Sequence, residues 1–237
     1  MNIFFPKEHI NEARFSLTGE TAEKFLKKNI DLYVEETVQF QDALLNNLIE
    51  TAKVKTISRQ QGLSSSDIIC SLNKLSLDDI VHVKQDTLVV SFLDPFNEVE
   101  LISELKNRSI SSISMELVPR TTRAQKMDAL SSQANLAGYS AVIIASNHLE
   151  KALPMMMTAA GTISPSKVFV VGVGVAGLQA SATAQRLGAR VEAFDTREEV
   201  EDQVKSLGAR FVKIDLGETE QTSQGYAKAL TCLLYTS

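Results

Sequence analysis

Short apolar runs alternate with stretches of helical period along most of the chain. The first half predicts strands at 2–5 (NIFF), 31–36 (DLYVEE), 67–72 (DIICSL), 87–93 (TLVVSFL) and 112–118 (SISMELV). DLYVEE alternates apolar and polar, as a strand does. TGETAEKFLKKN (18–29) reads as a helix. Thr18 can cap it, acidic residues sit early and lysines late, which complements the helix dipole. Val99, Ile102 and Leu105 recur at helical spacing between two of the strands.

The second half opens with a long helical stretch over 122–150, rich in Ala, Leu, Gln and Ser. LPMMMTAAGTISPSK (153–167) follows as a connection punctuated by Pro154, Gly161 and Pro165. Its three methionines are expected to fill a packed gap, the common use of Met in irregular core space. KVFVVG (167–172) reads as a buried parallel strand, LQASATAQRLGAR (178–190) as its helix with Ala180, Ala184 and Leu187 on one face, and RVEAFD (190–195) as the next strand. A further helix (197–210) and strand (210–215) follow. LGAR recurs at 187 and 207, placing Gly188 and Gly208 where a helix ends at positive φ before a strand.

Repeated strand–helix–strand units predict parallel sheets. The fold expected is α/β: two Rossmann-like parallel-sheet subdomains joined by long helices, with the second incomplete. The boundaries read as 1–118 for an N-terminal α/β subdomain, 119–166 for the linking helix and connection, and 167–237 for the first half of a Rossmann subdomain. A doubly wound nucleotide domain carries about six strands, and about three are legible here, so the chain reads as a C-terminally truncated fragment. The end, TCLLYTS, looks foreign to the helix before it, and residues 232–237 receive no role.

Charge and composition narrow the function. A net charge of −5 offers no basic excess to displace counterions, which argues against nucleic acid. Cys70 and Cys232 make no disulfide framework, so the chain reads as reduced and intracellular. His9, His82 and His148 are scattered, without ligand spacing, and no metal site is expected. The apolar part of the N-terminus is too short for a signal peptide. No run of about 18 apolar residues exists to span a bilayer.

Gly172, Gly174 and Gly177 stand in G-x-G-x-x-G spacing after the strand KVFVV and before a helix, and Asp195 ends the next strand. The first glycine permits a tight turn, the second a close approach to a pyrophosphate, and the third close packing of helix on sheet. The helix N-terminus offers N–H groups and partial positive charge to phosphates. Asp195 suits ribose hydroxyls and repels a 2′-phosphate, favouring NAD over NADP, whereas Arg197 could accommodate one. The other reading is a glycine-rich turn in a protein that binds something else. A second cluster, Arg120, Gln125, Asp128 and Ser131, lies along PRTTRAQKMDALSSQANLAGY (119–139). On residue types alone it reads as an ordinary capped, solvated helix start.

Taken together, FPKEHINEARFSLT, PRTTRAQKMDALSSQANLAGY, LPMMMTAAGTISPSKVFVVGVGVAGLQA, FDTR and GYAKAL resemble the NAD(H)-binding domain of the proton-translocating NAD(P) transhydrogenase alpha-subunit family. That family sits in a superfamily with alanine dehydrogenase. The resemblance runs to about residue 230. It implies two α/β subdomains with NAD(H) in the cleft between them. Gly172, Gly174, Val175 and Gly177 would hold the pyrophosphate, and Asp195, Thr196 and Arg197 would lie around the adenosine ribose. Arg120, Gln125, Met127, Asp128, Ala129 and Ser131 would surround the nicotinamide. Gly225 and Tyr226 match the family's mobile loop. The implied catalytic residues are Arg120, Gln125 and Asp128, as orienting groups with no acid or base role. The resemblance further implies NADP(H) on a partner domain, membrane-spanning partners, a homodimer, and a place on the cytoplasmic face of a bacterial inner membrane or the matrix side in mitochondria.

Hydride transfer between two nicotinamide rings moves no proton at either carbon, so it needs proximity and orientation rather than a base. An alanine dehydrogenase-like oxidoreductase, the alternative, needs a titrating group. Where that branch has a histidine this chain has Asp94, read as part of an Asp-Pro turn. Its substrate lysine falls at Leu72 or Ser71, with Lys74 displaced. The family's glycines after the second strand are replaced by VEETVQFQDALL. A third reading is a nucleotide-binding module without catalysis. The fragment alone is expected to bind NADH weakly or not at all.

Overall fold

A computed structural model describes residues 1–214 apart from Ile10 and Gln39, and omits the side chain of Glu198. It contains two compact units, Met1–Pro119 and one that begins at Arg120.

The first unit is a six-stranded parallel sheet. Its strands are β1 (Asn2–Phe5), β2 (Asp31–Glu35), β3 (Val54–Ile57), β4 (Ile68–Cys70), β5 (Leu88–Ser91) and β6 (Ser111–Ser114). They run in the order β3-β2-β1-β4-β5-β6, the doubly wound arrangement that reverses beside β1. Ile3 lies level with Leu32 on one side and Ile68 on the other. Side chains alternate across a strand. Thus Phe4 enters a core with Leu63, Ile69, Val89 and Leu101, while Ile3 and Phe5 enter another with Leu32, Val34 and Leu45. Both faces are covered, by α1 (Gly19–Leu26), α2 (Ala43–Glu50), α3 (Arg59–Ser65), α4 (Leu77–His82) and α5 (Val99–Asn107).

The periodicity of 37–66 does not predict structure, yet this stretch holds α2, β3 and α3. Caps explain their starts. Asp42 accepts from Leu45 N at the head of α2 and from Gly19 N at 2.7 Å, so one carboxylate serves two helices. Thr18 caps α1 as expected, accepting from Thr21 N. The strand read at 112–118 ends early, because residues 115–117 wind into a 3-10 turn.

The second unit holds a three-stranded parallel sheet in the order β11-β10-β9: β9 (Lys167–Val171), β10 (Arg190–Phe194) and β11 (Arg210–Phe211). The long helix α6 (Ala129–His148) packs on α7 (Val175–Arg186), and α8 (Glu201–Ser206) follows. A Cβ on Gly138 would lie 2.1 Å from the Ala176 carbonyl oxygen, so glycine at 138 sets how closely α6 meets the start of α7. Gly188 and Gly208 take φ of +88° and +80°, as helix-ending glycines do. The core gathers Val173, Ala184, Val191, Ala193 and Val204.

Two burial expectations do not hold. The methionines of 155–157 do not fill a gap. Residues 156–158 and 161–163 form the antiparallel hairpin β7–β8, and its side chains stand in solvent, with Met157 74% exposed. Among the described residues the hairpin pairs with no third strand. Strand β9 is parallel but only half buried. Val168 and Val170 join the core, while Phe169 and Val171 face the other way and are 55% and 70% exposed. β9 is the edge strand of its sheet.

Candidate nucleotide site

Strand β9 delivers the chain into the glycine turn. Gly172 takes φ of +90°, a conformation that favours glycine, and its N–H donates to Phe194 O at 2.8 Å. Gly174 occupies the N-cap of α7, and among the described residues no side chain caps that helix end. A Cβ on Gly174 would meet nothing within 4 Å, so this position opens onto free space. At Gly177 a Cβ would sit 1.8 Å from the Gly172 carbonyl oxygen. The three glycines therefore do three separate jobs: turn, open approach and close packing. An uncapped helix N-terminus beside open space fits a phosphate group.

Strand β10 ends at the acidic residue. Asp195 Oδ2 accepts from Val173 N at 2.7 Å, inside the glycine turn. Asp195 Oδ1 accepts from Arg197 N and Nε, each at 2.9 Å, and Arg197 Nη2 donates to Oδ2 at 3.0 Å. Burial pushes the Asp195 carboxyl up, but the hydrogen bonds from Arg197 and Val173 outweigh it and hold the group below the usual carboxylate range.

A second feature forms at the head of α6. Asp128 is its N-cap, accepting from Ser131 N at 2.9 Å and Ser131 Oγ at 2.6 Å. Those bonds, with the Arg120 guanidinium 3.9 Å away, hold its carboxyl below the ordinary range. Arg120, Gln125, Asp128 and Ser131 line one cleft of about 830 Å³, together with Ser132 and Asn135. Val175, the first residue of α7, lines it too, which joins this cleft to the glycine turn. Asn135 Nδ2 donates to Gln179 Oε1 at 3.3 Å, a further tie between α6 and α7.

The structure thus brings residues from 120–131 and from the glycine motif into one unit. Met127, 56% exposed, does not line the cleft, and neither does Ala129, whose part is to begin α6. Thr196 follows Asp195 directly at the end of β10. Gly225 and Tyr226 lie outside the described residues. Ser132 and Asn135 were missed by sequence reasoning. Their spacing from Asp128, one helical turn and two, is the signal that could have found them. Among the described residues no group of acidic, His and Cys side chains is placed to hold a metal. Burial pushes the Cys70 thiol up to about 11, so it is unreactive at neutral pH. Among the described residues no helix is long and apolar enough to cross a membrane.

A glycine turn fastened to an acidic strand end is the arrangement of a Rossmann-like dinucleotide-binding fold. The chain belongs to the alanine dehydrogenase/PNT family: residues 4–137 match its N-terminal domain and residues 141–232 its C-terminal domain. It is 43% identical over 233 residues to the first part of the NAD(P) transhydrogenase subunit alpha of Rickettsia prowazekii, covering 96% of this chain and 61% of that protein. It is 41% identical to the crystal structure of transhydrogenase from Sinorhizobium meliloti, with a TM-score of 0.82 over 91% of this chain and 62% of that one. An L-alanine dehydrogenase structure shares the fold, with a TM-score of 0.77 at 20% identity over 91% of this chain and 61% of that one. The chain therefore spans about six-tenths of these relatives.

Proposed function

We propose that this chain is the NAD(H)-binding part of an NAD(P) transhydrogenase. In this reading the glycine turn and the N-terminus of α7 hold the pyrophosphate, Asp195 faces the adenosine ribose, and Arg120, Gln125, Asp128 and Ser131 orient the nicotinamide end. The observation that carries it is the cleft at the head of α6. It offers hydrogen-bonding groups from Arg120, Gln125, Ser131 and Asn135, and its carboxyl, Asp128, is held ionised. An Asp kept low by two Ser131 bonds is a poor general acid or base at neutral pH, and among the described residues no His, Lys or Cys lines the cleft. Such a lining orients a carboxamide and ribose and leaves the hydride to pass between rings.

NADP(H) would sit on a partner domain, with membrane-spanning partners coupling the transfer to proton movement and this domain peripheral on the cytoplasmic or matrix side. The transhydrogenase names of the relatives support that assignment. A homodimer would cover apolar surface such as the exposed β7–β8 hairpin.

Features of the first unit speak against the alanine dehydrogenase-like alternative. Asp94 sits in a turn at φ +51°, with both carboxylate oxygens accepting from Asn97 Nδ2. Ser71 Oγ donates to Asn73 O, and Lys74 is paired with Glu98. These three side chains are engaged with their own neighbours.

The test is titration of NADH fluorescence with the complete subunit. NADH should bind, an Asp128→Ala, Gln125→Ala double variant should keep most affinity but lose transfer, and absence of NADH binding by the complete subunit would sink the reading.

A further inference from the structure

The carboxylate assigned to the ribose is already full. Asp195 Oδ2 holds Val173 N and Arg197 Nη2, and Oδ1 holds Arg197 N and Nε. Two carboxylate oxygens offer about four acceptor positions, and four donors occupy them. The Asp195 side chain is only 6% exposed, with the Arg197 guanidinium lying over it. Arg197 Nη2 also donates to Val173 O at 3.3 Å, so the same guanidinium binds the peptide between Gly172 and Gly174.

The geometry points to Arg197 as a gate on the adenosine ribose position: its guanidinium must leave Asp195 before ribose hydroxyls can take its place. The inference rests on the nucleotide reading above. The fork matches the two carboxylate oxygens as only a guanidinium does, so lysine cannot replace it. Two consequences follow. Displacing the guanidinium lowers apparent NADH affinity by the share of molecules in which it is closed. Neutralising Asp195 also weakens its repulsion of a 2′-phosphate, so the closed pair reduces discrimination between NADH and NADPH.

The experiment compares Arg197→Ala and Arg197→Lys with the unaltered complete subunit by calorimetric titration of NADH and NADPH, with thermal unfolding as a check on folding. Arg197→Ala should bind NADH about fivefold or more tightly, and its preference for NADH over NADPH should rise. Arg197→Lys, without the fork, should shift in the same direction by less. Unchanged or weaker NADH binding by folded variants would overturn the gate while leaving the nucleotide reading intact. No NADH binding by any protein overturns both. Should the alanine variant not fold, the lysine variant and a crystal structure of the unaltered subunit with NAD decide. The guanidinium moved off Asp195 and hydroxyls in its place support the gate. A guanidinium still on both Asp195 oxygens with nucleotide bound overturns it.

Discussion

The Val173 N–H donates to Asp195 Oδ2 at 2.7 Å, tying the glycine turn to the end of the neighbouring strand. The carboxylate is therefore structural before any ligand arrives. Asp195→Ala leaves a partly buried N–H without its acceptor and should cost about 1–3 kcal/mol of stability, measured by urea unfolding. NADH affinity should fall at least about tenfold in the same protein. Asp195→Asn keeps an acceptor for Val173 and should cost less stability. Equal stability of all three proteins would contradict the fastening role.

Gly174 and Gly177 make opposite demands. A Cβ at 177 meets the Gly172 carbonyl oxygen at 1.8 Å, while one at 174 meets nothing. Gly177→Ala should lose about 1–3 kcal/mol as α7 is pushed off the sheet. Gly174→Ala should stay within about 0.5 kcal/mol of the unaltered protein yet weaken NADH binding, because its methyl projects into the open approach. Thermal unfolding and NADH titration on the pair separate packing from ligand access.

Asp128 caps α6 and faces the cleft. Asp128→Ala should cost about 1 kcal/mol from the lost cap. Its larger effect should be on transfer, with kcat falling more than about tenfold and the NADH Kd changing little, since an orienting group acts on geometry. A Kd change that accounts for the whole loss would make Asp128 a plain binding residue.

Acid should find the same carboxylates. Asp128 and Asp195 are held below their ordinary values, and Glu12 is lowered to about 2 by the hydrogen bonds from Arg14. A depressed folded-state pKa contributes stability that is whole above the unfolded value, about 4, and is lost as pH falls through the folded value. Unfolding temperature should be level in this respect from pH 7 to about 5 and decline between about pH 4 and 2. Asp195→Ala and Glu12→Gln should each flatten that decline. A decline that begins above pH 6 would point to other groups.

Strand–helix alternation was legible wherever apolar runs were bounded by turn residues, and the glycine and Asp195 spacing marked one half of the candidate site. What was not legible has physical reasons. β3 (VKTI) carries Lys55 and Thr56 exposed, so its apolar content is too slight to show as a strand. The methionines and Phe169 have the composition of core but lie on a hairpin and an edge strand, where sequence period cannot tell whether a neighbour exists. Asp128 read as an ordinary cap because it is one; that it also lines a cleft with Arg120 and Val175 is a matter of packing that spacing does not carry. The engagement of Asp195 by Arg197 depends on where a guanidinium folds back, which spacing does not reveal.

The most direct measurement uses one preparation of the complete subunit with its NADP-binding partner, given NADH and an NADP analogue in one assay and alanine with NAD in another. Hydride from NADH should reduce the analogue without any added amino acid, and alanine should reduce no NAD. Reduction seen only with alanine would contradict the transhydrogenase assignment.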